Sequence, residues 1–157
     1  MNRILEYLKK YGWNDRVLTR DDFDVICLDE GVTSLETDTL KWDCTFILQD
    51  GVPVILLSRH LYRSARLGVG FHCIGHWLWA KFNNTKSANI SCNLINTSHV
   101  QCLDQTDSEC LSHIISSCAV LPRRVIETKS IQQVREQYEY CEVLLELRYA
   151  VRDKFNI

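Results

Sequence analysis

The segment from Cys44 to Leu57 constrains the fold more than any other stretch of this chain. Two β-rich runs, Cys44-Thr45-Phe46-Ile47-Leu48 and Val52-Pro53-Val54-Ile55-Leu56-Leu57, are separated by Gln49-Asp50-Gly51. An Asp-Gly turn between such runs is the strongest short-range hairpin signal, because both residues tolerate the positive φ that a tight turn between twisted strands requires. Pro53 has no amide hydrogen to give to a ladder, so it belongs at a strand's entry or edge and not at its centre.

Helical periodicity dominates elsewhere. Ile4, Leu5, Leu8 and Tyr11 fall on one face of an amphipathic helix over 2–11, which Gly12 stops. Val25-Ile26-Cys27-Leu28, an apolar run between acidic residues, reads as a short buried strand. Over 59–82 only Gly68, Gly70 and Gly75 interrupt a helical pattern. It reads as one helix, a break near Gly68-Val69-Gly70 and a second helix, although the glycines also fit inside one long helix. Residues 83–106 are rich in Asn, Ser and Thr and read as a loop with a strand near Ile90 to Cys92. Asp107 or Ser108 can cap a helix that runs to Val120 and stops before Pro122, and 131–155 carries one or two more helices.

At 157 residues the chain suits one domain spanning 1–157. Hydrophobic residues make up 46% and charged residues 24%, which separates it from disordered chains. The net charge of -2 supplies no global attraction to nucleic acid or anionic membrane. The first ten residues lack the apolar core of a signal peptide, and no apolar run approaches the roughly 20 residues of a membrane span, so a cytoplasmic protein is expected. Eight cysteines are scattered without a Cys-x-x-Cys pair. In a reducing compartment they read as small core residues, with a Cys92–Cys102 bridge to be considered only for an exported protein.

The chemistry concentrates in His72-Cys73-Ile74-Gly75-His76. Histidines four apart on a helix share a face and can grip one zinc ion, and a catalytic zinc needs a third protein donor from elsewhere. Glu109, near the start of the later helix, is the leading candidate, and His113 lies one turn further on the same face. From there His113 can hydrogen-bond a ligand and fix its orientation, or become a ligand itself. Any bare His-x-x-x-His pair is by default two polar residues on a helix. Gly75 beside His76, the apolar Trp77-Leu78-Trp79 and the separate Glu109 helix ending in Leu121-Pro122 tilt the reading toward metal. Trp77 and Trp79 read as core or site-wall residues.

Phe71 through Leu78, together with Glu109 through Pro122, resembles the paired motifs of the ImmA/IrrE-type zinc metallopeptidases. These are an apolar-flanked His-Glu-x-Gly-His helix and a later Glu-x-x-Ala-Asn/Asp helix that ends in Leu-Leu-Met-Pro. The likeness spans most of the chain, including the hairpin and a final helix with Arg148. It implies an α+β, zincin-like domain with a small sheet, Zn2+ as cofactor and His72, His76 and Glu109 as ligands. Four positions depart from the family: Cys73 stands at the general base, Ser112 at the small Ala, His113 at the Asn or Asp, and Ile115 at the Phe. Cys73 is the severe change, since its sulfur falls short of a water that a glutamate reaches, and it reads as a buried inert thiol.

The resemblance implies a metallo-endopeptidase acting on a partner protein such as a DNA-binding repressor, with catalysis impaired or lost at Cys73. The alternative is a non-catalytic protein that binds a regulatory protein or peptide in the former cleft. Direct nucleic-acid binding through Arg123, Arg124, Arg135, Arg148 and Arg152 ranks last, because Glu127, Glu136, Glu139, Glu142 and Glu146 are interleaved with them.

Overall fold

The Asp-Gly turn forms as its residues require, with Asp50 at φ 51 and Gly51 at φ 80. It joins β2 (Cys44–Gln49) to β3 (Val52–Ser58), paired antiparallel with Cys44 opposite Leu57 and Gln49 opposite Val52. The structure, a computed structural model, describes residues 1–93, 103, 107–137 and 142–157. Two further strands extend the hairpin. β1 (Thr33–Thr37) runs parallel to β3, and β4 (Ala88–Cys92) runs antiparallel to β2, giving the mixed order β1-β3-β2-β4. The pairing with β1 begins at Val54, so Pro53 sits at the strand entry, where its missing donor costs β1 nothing.

Around the sheet lie α1 (Asn2–Leu8), α2 (Arg20–Glu30), α3 (Arg63–Phe82), α4 (Ser108–Val120), α5 (Arg123–Thr128), α6 (Ile131–Gln137) and α7 (Glu142–Phe155). The protein is thus α+β, with a small four-stranded mixed sheet. The period-two alternation of β2 and β3 turns Cys44, Phe46, Leu48, Ile55 and Leu57 into the core, where α3 packs on them. No helix among the described residues is long and apolar enough to cross a membrane.

Two sequence expectations are corrected. Val25 to Leu28 is not a strand but the middle of α2. Thr19 and Asp22 form a capping box at its start, and Gly31 closes it in the left-handed conformation at φ 66. Phe23, Ile26, Cys27 and Glu30 face inward at helical spacing, while Val25 and Leu28 are exposed. The strand in this region is β1, which follows Gly31. The break expected at Gly68-Val69-Gly70 is also absent, and α3 is continuous for 20 residues. The glycines admit neighbours: a Cβ on Gly68 would stand 2.6 Å from Leu144 Cδ1, and one on Gly70 would stand 2.9 Å from Phe23 Cε2.

The N-terminal helix ends in a 3-10 turn at Lys9–Tyr11 and a left-handed Gly12, close to expectation. It docks through Glu30, whose carboxylate accepts from Tyr7 Oη at 2.5 Å, Lys81 Nζ at 2.7 Å and Trp77 Nε1 at 3.2 Å. Burial opposes the charge of Glu30, but these donors prevail and hold its carboxyl below the usual range. Trp77 and Trp79 are partly buried against the core, as read from sequence. The strand near Ile90 is β4, while 94–102, including Cys102, lie outside the described residues. The C-terminal region forms two helices, and Tyr138 likewise lies outside them.

Candidate metal centre

The centre forms where α3 and α4 cross with almost no side chain between them. An ideal Cβ on Gly75 would lie 2.5 Å from the Cα and 2.6 Å from the Oγ of Ser112. Ser112 can sit there because its hydroxyl donates to the Ser108 carbonyl of its own helix at 2.7 Å. His72 and His76 flank the crossing on α3, and Glu109 and His113 flank it on α4, each pair one turn apart on one face. Asp107 fixes the start of α4, its carboxylate accepting from the amides of Glu109 at 3.0 Å and Cys110 at 3.1 Å.

All four side chains converge. The Nε2 atoms of His72 and His76 are 3.1 Å apart. Glu109 places Oε1 3.5 Å from His72 Nε2 and Oε2 3.2 Å from His76 Nε2. His113 Nε2 stands 3.2 Å from Glu109 Oε1, and its ring lies 4.8 Å from that of His72. His72 and His113 are fully buried, His76 is 2% exposed, and Glu109 retains 28% exposure.

These spacings test whether the residues fit a cation. Ligand atoms about 2.0–2.1 Å from a tetrahedral zinc are about 3.3–3.4 Å apart. The imidazole nitrogens are 3.1 Å apart and each stands 3.5 or 3.2 Å from one of the two Glu109 oxygens, close to that value, and one ligand atom from each residue lies within 4.8 Å of the others. Without an ion, two buried imidazole nitrogens and a half-buried carboxylate at such distances need shared protons between them. The cluster can therefore hold a metal ion, with one ligand face left toward solvent at Glu109.

Burial pushes the Glu109 carboxyl up, but hydrogen bonds with His113 and His76 and the charges of His72 and His76 outweigh it, so Glu109 stays ionised. His113 meets the carboxylate rather than joining the three mutually close donors, which suits it to orienting Glu109. His113→Leu should weaken zinc affinity by about 10–100-fold, measured by competition with a chromophoric chelator. An unchanged affinity would remove His113 from the site.

Cys73 does not face this cluster as a base would. It is fully buried, with the thiol of Cys44 on β2 as its neighbour. Cys44 draws the thiol's pKa down, burial and the neighbouring Cys92, Glu109 and Cys27 raise it, and the net direction is upward. Phe46, also on β2, stacks on His76 with ring centroids 6.3 Å apart.

Sequence reading overlooked Phe46, Cys44 and Cys92 as neighbours of the centre. Their signal lies in the register that sets Cys44 opposite Cys92 and Phe46 opposite Ile90, and no local pattern encodes it. Four of the five arginines considered for nucleic acid are buried or paired. Arg148 is buried, and Arg123, Arg135 and Arg152 pair with Glu127, Glu142 and Asp153. A separate cavity of about 430 Å³ lies between Arg20, Phe23, Glu36, Arg63 and Arg66. Glu36 meets Arg20 at 2.6 Å and Arg66 at 2.7 Å there, and no residue of the metal cluster lines it. No family model, curated protein or solved structure matches the chain.

Proposed function

We propose that the protein is a zinc-binding, zincin-like relative of the ImmA/IrrE-type metallopeptidases. Its hydrolytic step is impaired or lost at Cys73, and it acts on a partner protein such as a transcriptional repressor in the cytoplasm. The observation that carries this reading is the convergence of His72, His76 and Glu109 from two separate helices at ligand spacing. Bound there, zinc would supply Lewis-acid activation of a peptide carbonyl and of water.

The chain's own residues decide how much of that chemistry is used. A general base must reach the proton it removes and be deprotonated at working pH. Cys73 is turned into the core against Cys44 and its ionisation is suppressed, so it fills neither requirement. His113 is fully buried and engaged with Glu109, which leaves it poorly placed to substitute. Proton transfer of this kind commonly contributes about 10²–10⁴-fold in rate. The site then favours holding a partner over cutting it.

A binding role has its own support in the sheet. β4 pairs with β2 on one side, and its other edge carries no strand among the described residues. Such an edge can take an extended peptide by strand addition, beside the helix that carries the histidines.

Metal content tests the reading directly. Protein purified without chelators or a histidine tag should contain close to one zinc per chain by inductively coupled plasma mass spectrometry, and His72→Ala and Glu109→Ala should each lose most of it. Protein that takes up no metal when zinc is supplied would overturn the proposal. On zinc-loaded protein, hydrolysis gained by Cys73→Glu and absent from the natural chain would identify a silenced enzyme. Retained hydrolysis by the natural chain would instead restore the catalytic reading.

A further inference from the structure

Cys44 and Cys92 are direct partners across the antiparallel β2–β4 pair, and their sulfurs lie 3.0 Å apart. Residues opposite one another on neighbouring strands have Cβ atoms about 4.5–5.5 Å apart, and a disulfide needs about 3.5–4.5 Å. A small inward movement therefore suffices. The register is held on both sides: the Asp43 amide donates to the Cys92 carbonyl at 3.1 Å, and the hydroxyls of Thr45 and Ser91 meet at 2.9 Å. Cys44 is fully buried, whereas Cys92 is half-buried.

We propose that Cys44 and Cys92 form an oxidisable dithiol, whose disulfide staples the edge strand β4 to β2 beside the metal-binding helix. The oxidant class is a low-molecular-weight disulfide such as oxidised glutathione. The Cys92 thiolate attacks one sulfur of that disulfide, forming a mixed disulfide and releasing one thiol. The Cys44 thiolate then attacks the Cys92 sulfur and expels the second. Two protein thiols lose two electrons, the reagent's S–S bond gains them, and the two protons pass to the released thiolates.

Both thiols resist ionisation. Cys92 is held up first by its bond with Cys44 and then by burial, and Cys44 first by the neighbouring Cys73. Exchange is accordingly slow in both directions, and high-pKa thiols are poor leaving groups, so the bridge, once formed, resists reduction. Cys73 is the internal competitor because it too neighbours Cys44. Cys92 prevails through its cross-strand register and because it is less buried than Cys73. The inference concerns β2 and β4 and stands whether or not zinc binds.

The reduced full-length chain, equilibrated in glutathione buffers of increasing oxidised fraction, alkylated in denaturant and peptide-mapped by mass spectrometry, decides the matter. The expected result is a Cys44–Cys92 peptide pair and a loss of two alkylatable thiols. A rise of several degrees in the thermal midpoint should accompany them, because the bridge closes a loop between residues 48 positions apart. Cys92→Ser should abolish both the bridge and the shift. Thiols that all remain alkylatable, or a dominant bridge from Cys44 to Cys73 or from Cys92 to Cys102, would overturn the proposal. The map is made on the unmutated chain, so it decides even if a substitution fails to fold.

Discussion

Arg148→Ala should destabilise the protein by about 3–5 kcal/mol, from the loss of three charge-assisted hydrogen bonds together with the packing of a buried side chain. Arg148 is fully buried on α7, and its guanidinium is divided among three acceptors. Nε donates to the Leu121 carbonyl at 2.6 Å, one terminal nitrogen to the Ile157 carbonyl at 2.8 Å, and the other to Asn14 Oδ1 at 3.1 Å. Leu121 is the residue on which α4 ends. A cation there completes the last turn and complements the negative end of the helix. Asn14 also accepts from the Arg123 amide at 2.9 Å, so one side chain ties the N-terminal region, the end of α4 and α7 together.

Truncation leaves the carbonyls of Leu121 and Ile157 without this donor and opens a cavity in the same place. Arg148→Lys should also cost about 2 kcal/mol, since one ammonium cannot reproduce a planar fork directed at three separate oxygens. Urea unfolding followed by far-ultraviolet circular dichroism measures both. A loss below about 1 kcal/mol for Arg148→Ala would show that the network is not a stabilising junction.

The second large effect is expected at Gly75. In a helix interior, replacing glycine by alanine ordinarily gains about 0.8–1.0 kcal/mol. At Gly75 the added methyl would meet the backbone of α4, with Ser112 Cα at 2.5 Å. Backbone cannot rotate away as a side chain does, so α3 and α4 must separate. Overpacking of this kind costs about 1–3 kcal/mol and sometimes more, and we expect a net loss of about 3 kcal/mol for Gly75→Ala because the clash is with main chain on the most closely apposed helix pair.

Gly68→Ala supplies the control. Its methyl would meet the tip of the Leu144 side chain, which can shift, so propensity and crowding should cancel to within about 1 kcal/mol. The difference between the two variants isolates the helix crossing. Zinc affinity should fall for Gly75→Ala and hold for Gly68→Ala, because only the former separates the histidines from Glu109. Equal stability and affinity in the two variants would mean that the crossing does not set the centre.

Much of this arrangement was legible in sequence because its determinants are local. The Asp50-Gly51 turn, Asp107 at the head of α4 and the i,i+4 spacing of His72 with His76 and of Glu109 with His113 are short-range patterns with direct physical readings. The errors arose where tertiary contacts overrode a local pattern. Val25 and Leu28 are apolar yet exposed, and they masked the helical phase that Phe23, Ile26 and Glu30 follow in α2. Gly68 and Gly70 looked like a break between two helices because their true partners, Leu144 and Phe23, are remote in the chain. The thiol contact between Cys44 and Cys92 depends on sheet register, and the sequence-based alternative paired Cys92 with Cys102 instead.

The three candidate donors are unequally buried. Both imidazoles are sealed beneath the helix crossing, and Glu109 alone keeps a face toward water. A cation taken up here would meet the Glu109 carboxylate before either imidazole, so its loss to a chelator should depend more on the packing of α3 against α4 than on the ionic strength of the medium.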